Sequence, residues 1–142
     1  VIYLDTGCLV KLYYPEPDSA KVAKLVGGEV IAFVPLHGLE LANALEQKLF
    51  RKEARPAQVR GTHALVEADL RAGVLHRPPV VWEDVLEDAT KLARAHTRTM
   101  GCRSLDILHC AAARRLGATA FLTTDARQRR LALAMGVRCP SV

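Results

Sequence analysis

Four carboxylates stand where the sequence raises a question of chemistry. Asp5 ends an apolar run, Val1-Ile2-Tyr3-Leu4, and is followed by Thr6-Gly7-Cys8-Leu9-Val10, which offers it no obvious solvated setting. Asp125 closes a second such run, AFLTT. Glu40 sits in LHGLELANAL, and Asp106 opens the helical pattern of RSLDILHCAAARR. Like charges gathered within a few Å in a partly buried site cannot all stay ionised. A hard divalent cation such as Mg²⁺ or Mn²⁺, which takes oxygen ligands, relieves that repulsion. Such a centre activates water and stabilises charge at a phosphoryl group. Each acid also has a plainer reading. Asp106 complements a helix dipole, Asp125 caps a helix, and Glu40 sits on a solvated helix edge. Asp5 is the hardest of the four to explain that way.

A zinc site is the other metal chemistry to weigh, because Cys102, His109 and Cys110 are close in sequence. Adjacent helical residues point about 100° apart, so His109 and Cys110 are poor partners for one ion, and His109 reads as helix packing. The four cysteines, Cys8, Cys102, Cys110 and Cys139, are scattered with no C-x-x-C pair. Reduced thiols and a cytoplasmic location are expected.

The elements that must position the acids alternate in period. Val1–Leu4, Val30–Val34 and Ala120–Thr123 read as buried strands, with shorter ones at Val74–His76 and Val137–Cys139. Helices are expected over Thr6–Tyr14, Ala20–Val26, Leu36–Lys52, Pro56–Arg71, Trp82–Thr99, from a cap at Ser104 to a stop at Gly117, and over Ala126–Met135. Leu41, Leu45 and Leu49 make one core stripe, and Val85, Leu86, Ala89, Leu92 and Ala93 another. Strands alternating with helices imply an α/β three-layer sandwich with a largely parallel sheet. In such folds the reactive crevice lies beyond the C-terminal strand ends, so this order of elements can bring all four acids to one edge.

A chain of 142 residues, half of them apolar and a quarter charged, fits a single globular domain spanning 1–142. No apolar run approaches the roughly 20 residues of a membrane span. The N-terminal stretch, broken by Asp5 and Lys11, reads as strand into helix and not as a leader. A formal charge of +5 raises the prospect of a polyanionic partner. Lys48, Arg51, Lys52, Arg55 and Arg60 form one basic group. Arg127, Arg129 and Arg130, close behind Asp125, form another that is the better candidate for substrate phosphate. Only 5% of residues are aromatic, so extensive base stacking is not expected.

Taken together, Leu4-Asp5-Thr6, LHGLELANAL, RSLDILHCAAARRLGA and FLTTDARQRRLA resemble the PIN-domain ribonucleases, and in particular the VapC toxins of bacterial and archaeal toxin–antitoxin pairs. The resemblance covers essentially the whole chain. It implies Mg²⁺- or Mn²⁺-dependent endonucleolytic cleavage of RNA. It implies a homodimer and a small inhibitory antitoxin. It maps the acidic site onto Asp5, Glu40, Asp106 and Asp125, with Asp5 and Asp106 the firmer metal ligands. Thr6, Ser104 and Thr123 match hydroxyl positions that support the acids. An aspartyl phosphatase would need a second acid two residues after Asp5, where Gly7 stands. A phospho-receiver domain does not account for Asp106 and Asp125. A non-catalytic module that binds RNA or an antitoxin is the serious alternative.

Overall fold

The computed structural model describes residues 1–142. The elements run β1 (Tyr3–Leu4), α1 (Thr6–Tyr13), α2 (Ser19–Val26), β2 (Ile31–Ala32), α3 (Pro35–Phe50), α4 (Pro56–Ala72), β3 (Leu75–His76), α5 (Trp82–Met100), α6 (Ser104–Arg115), β4 (Phe121–Leu122) and α7 (Ala126–Ala134). β1 pairs with β4 and β2 with β3, all parallel, and a parallel bridge between Ile2 and Ile31 joins the two pairs. The strand order is therefore β4-β1-β2-β3, and every strand ends at the same edge. No helix is long and apolar enough to cross a membrane.

The two-residue period of the strands sorts the core into two layers. Ile2, Leu4, Ile31, Phe33, Leu75 and Leu122 pack with buried residues of α1 to α4. The intervening Tyr3, Ala32, Val34 and Phe121 pack with α5, α6 and α7. This is the three-layer sandwich that the alternation of elements predicts. Leu41 and Leu45 are buried and Leu49 is partly buried against them. α1 stops at Tyr13 because Tyr14 precedes Pro15 and turns to extended backbone, φ −128° and ψ 122°.

Three sequence expectations are corrected. Val137–Cys139 is not a strand. Gly136 turns the chain at φ 76°, Pro140 follows directly, and the segment gives β4 one backbone bond, Phe121 N–H to Arg138 O at 2.8 Å. Leu86 is 53% exposed and stands outside the packed stripe of α5, whose buried positions are Val85 and Leu92. Ser104 is the first residue of α6 and not its cap. Arg103 takes the cap position, and its side chain makes no capping bond to the helix backbone.

His37 ties α3 to the end of β1. Its Nδ1 accepts from Val34 N–H at 3.0 Å, and its Nε2 donates to Leu4 O at 2.8 Å. A second ring proton would break the first of these bonds. Burial, reinforced by the nearby His109, pushes the His37 pKa down to about 3. For a base whose folded pKa is depressed, the stability contribution is complete above its unfolded pKa near 6.5 and is lost as pH falls toward 3. The loss is about 1.4 kcal/mol per pH unit across that window. Urea unfolding should therefore show a steeper stability loss between pH 6.5 and 5 in the parent than in His37→Asn. Other groups, including Asp5 with its opposite sign, cancel in that comparison. Equal slopes would contradict this role for His37.

Candidate active site

The four acids reach one pocket from four helix beginnings. Asp5 caps α1 through Oδ1, which accepts from Cys8 N–H at 2.6 Å. Asp125 caps α7, its Oδ1 accepting from Arg127 N–H at 2.8 Å and Gln128 N–H at 2.9 Å. Asp106 lies in the first turn of α6, and Glu40 follows the first turn of α3. The capping reading of Asp125 is therefore correct and Asp5 proves to be a cap as well, yet each acid keeps its second carboxylate oxygen out of the cap. The pocket has a volume of about 380 Å³ and no apolar lining residue. Asp5, Glu40, Asp106 and Asp125 line it, together with Thr6, Gly7, Arg103, His109 and Thr124. At Gly7 a Cβ would lie 3.5 Å from Asp5 Oδ1, over the carboxylate. The absence of a side chain leaves that face open.

Asp5 is the most buried of the four, at 9% exposure. Burial pushes its carboxyl pKa up, and the bonds from Thr123 and Cys8 offset only part of that. Thr123 Oγ1 lies 2.6 Å from Asp5 Oδ2 and 2.7 Å from Gln128 Oε1, and accepts from Asp125 N–H at 3.0 Å. One hydroxyl thus connects the acid after β1 to the helix after β4. Gln128, itself 1% exposed, donates through Nε2 to Asp106 O at 3.2 Å, bringing α6 into the same network.

Glu40 is held differently. Thr6 donates to its Oε1 at 2.9 Å, and His109 Nε2 makes a short bond to the same oxygen. Burial raises the Glu40 pKa, but the hydrogen bonds from His109 and Thr6 outweigh it, so the carboxyl is held below its usual range. Burial keeps the Tyr3 phenol protonated. Its hydroxyl, 2.9 Å from His109 Nδ1, donates there and leaves the imidazole proton on Nε2, facing Glu40.

His109 therefore departs from the sequence reading. It is buried, as a packing residue would be, but its ring reaches the pocket and fixes Glu40. Only the spacing of three residues from Asp106, which puts both on one helix face, pointed to it. Gln128 and Arg103 were also missed. Gln128 carried no signal beyond its three-residue distance from Asp125. Arg103 stands three residues before Asp106, and its Nε lies 2.8 Å from Asp106 Oδ2.

Other expected residues lie elsewhere. Ser104 is exposed and borders a different, mostly apolar groove between α5 and α6. As the first helical residue, it is turned away from the acids. Arg127, Arg129 and Arg130 do not line the acid pocket. Arg127 and Arg130 reach back to Gly101 O and Met100 O at the C-terminus of α5, both at 3.4 Å, where carbonyls and the helix dipole attract cations. Of the first basic group, Lys48 pairs with Glu16 and Arg51 with Glu53. All four cysteines are free and buried. Cys102 and Cys110 aim their thiols at backbone carbonyls of α7, not at His109.

A parallel sheet with acidic helix N-termini gathered at its C-terminal edge defines a class, the α/β proteins that act at strand ends. The family model described as PIN domain matches residues 2–133, and the chain belongs to that family. No curated protein sequence matches it. Among solved structures, FitAcB from Neisseria gonorrhoeae is similar, with TM-score 0.66, 19% identity, and coverage of 98% of this chain and 96% of that one. VapBC2 from Rickettsia felis, bound to a DNA fragment from their promoter, is similar with TM-score 0.64, 16% identity, and coverage of 99% and 98%. These likenesses show the shared fold.

Proposed function

We propose that this chain is a metal-dependent endoribonuclease, the toxin member of a toxin–antitoxin pair. The observation that carries the reading is the convergence of Asp5, Glu40, Asp106 and Asp125 on one open pocket with no hydrophobic lining residue. Membership of the PIN family supports it. The donor set is oxygen only, which suits Mg²⁺ or Mn²⁺ better than a soft metal. No three acidic, His or Cys side chains stand close enough, as arranged, to enclose an ion. The donors fit by chemistry and would have to move to close on one ion. Asp5 and Asp106 would be the principal ligands, with Glu40 and Asp125 completing the site. A bound ion there would supply an activated water and neutralise charge on the scissile phosphate.

The chain's own groups do the positioning. Thr123 and Cys8 N–H fix the orientation of Asp5. Thr6 and His109 hold Glu40 ionised and directed at the pocket. Gln128 locks the start of α7 to α6. A metal held by these acids would favour attack by its bound water over attack by the RNA's own 2′-hydroxyl, which would leave no 2′,3′-cyclic phosphate. RNA cut in the presence of Mn²⁺ should carry linear phosphate ends, and Asp106→Asn should abolish the cut. Cyclic ends, or full activity in that variant, would sink the reading. The homodimer and the small antitoxin partner are proposed from the VapC resemblance.

Thr123→Val tests the positioning network. Losing a hydrogen-bonding partner of a metal ligand costs about 10- to 100-fold in metal affinity or activity, and kcat should fall by that much. Thr123→Ser should recover most of it. A valine variant with parental kcat would show that the hydroxyl serves packing alone.

A further inference from the structure

We propose that Arg103 is an exchangeable counter-cation of the acid pocket. It holds Asp106 and Asp125 until a divalent ion takes Asp106, and then turns to a phosphate of the RNA. The inference rests on the metal-dependent reading above and adds a residue that reading does not use.

The geometry points to exchange. Arg103 Nε lies 2.8 Å from Asp106 Oδ2, and its terminal nitrogen lies 3.7 Å from Asp125 Oδ2. One guanidinium thus spans two of the four acids, at the place a metal would need. It is the only Arg or Lys lining the pocket. The other arginines nearby, Arg127 and Arg130, are turned to the end of α5. The Arg103 side chain is 73% exposed, so packing does not hold it. Exposed ion pairs are weak, whereas a divalent cation brings twice the charge and a preference for carboxylate oxygen. The pair is strong enough to occupy the acids and weak enough to yield them.

Release leaves the arginine usefully placed. Its backbone is the cap of α6, so the side chain stays rooted at the pocket mouth. Its planar fork suits bidentate binding of phosphate. The same residue would then neutralise acids before the metal loads and anchor substrate afterwards.

Calorimetric titration of the intact chain with Mn²⁺ alone, without RNA, tests the exchange. Arg103→Gln should bind Mn²⁺ about two- to five-fold more tightly than the parent, matching the loss of an exposed ion pair. Arg130→Gln removes the same charge away from the acids and should stay near the parent. With saturating Mn²⁺, Arg103→Gln should also raise KM for RNA while leaving kcat less affected. Unchanged or weaker Mn²⁺ affinity in Arg103→Gln overturns the proposal, as does an equal gain in Arg130→Gln. Tighter metal binding with an unchanged KM overturns the phosphate role. If the parent itself binds no Mn²⁺, the metal-dependent reading fails with it. If parent and Arg103→Gln bind equally well, only the exchange fails.

Discussion

Asp5→Asn should lose RNA cleavage by at least about 100-fold, beyond the 10- to 100-fold typical of changes one step removed from a metal, while folding as stably as the parent or more so. The two halves of that expectation share one cause. Asp5 is buried at 9% exposure, and its carboxyl is pushed toward the neutral form despite bonds from Thr123 and Cys8 N–H. A neutral amide of the same shape removes the cost of burying charge. Asn is also as good an N-cap as Asp, so α1 keeps its start. What the amide cannot supply is an anionic oxygen for a cation. Thermal unfolding read beside a cleavage assay separates the outcomes. Lower stability together with retained cleavage would mean that Asp5 is structural.

Phe121→Ala should cost about 3–5 kcal/mol, the usual penalty for emptying a large buried aromatic position. Phe121 is fully buried at the start of β4 and stacks on Tyr3, with ring centroids 5.7 Å apart. It packs in the layer that carries α5, α6 and α7. A domain is stable by only about 5–15 kcal/mol in total, so this variant should unfold at much lower urea. The site should suffer with it, because Thr123 and Asp125 follow directly on β4 and Tyr3 bonds His109. A loss under about 1 kcal/mol would mean that the layer repacks around the gap, against the usual cavity cost.

Much of this structure was legible in the sequence, for physical reasons that differ by element. The strands were visible because a two-sided core demands apolar residues at every position of Ile2–Leu4 and Ala120–Leu122, and the parallel topology followed from their alternation with helices. Gly101 and Gly117 marked helix ends through their left-handed backbone, φ 65° and 63°. Val137–Cys139 misled because a short apolar run looks the same whether it forms a ladder or packs as coil. The acids Asp5 and Asp125 could be placed from their position at strand ends. The identity of the arginine facing them could not. Arg103, Arg127 and Arg130 are alike in sequence, and what distinguishes them is the competing attraction of the α5 carbonyls. His109 was hidden for a similar reason. A buried histidine in an apolar helix looks like packing until the tertiary partners of its two ring nitrogens, Tyr3 and Glu40, are known.

We propose that four carboxylates from distant segments form one metal-dependent hydrolytic centre. Cleavage of RNA by the purified chain, followed with Mn²⁺, after chelation, and after Mn²⁺ is restored, tests it most directly. Cutting should stop with the chelator, return with the metal, and be absent throughout in Asp5→Asn. Cleavage that survives both chelator and substitution would contradict it. So would intact RNA under every condition while the chain still binds it, the behaviour of a non-catalytic module.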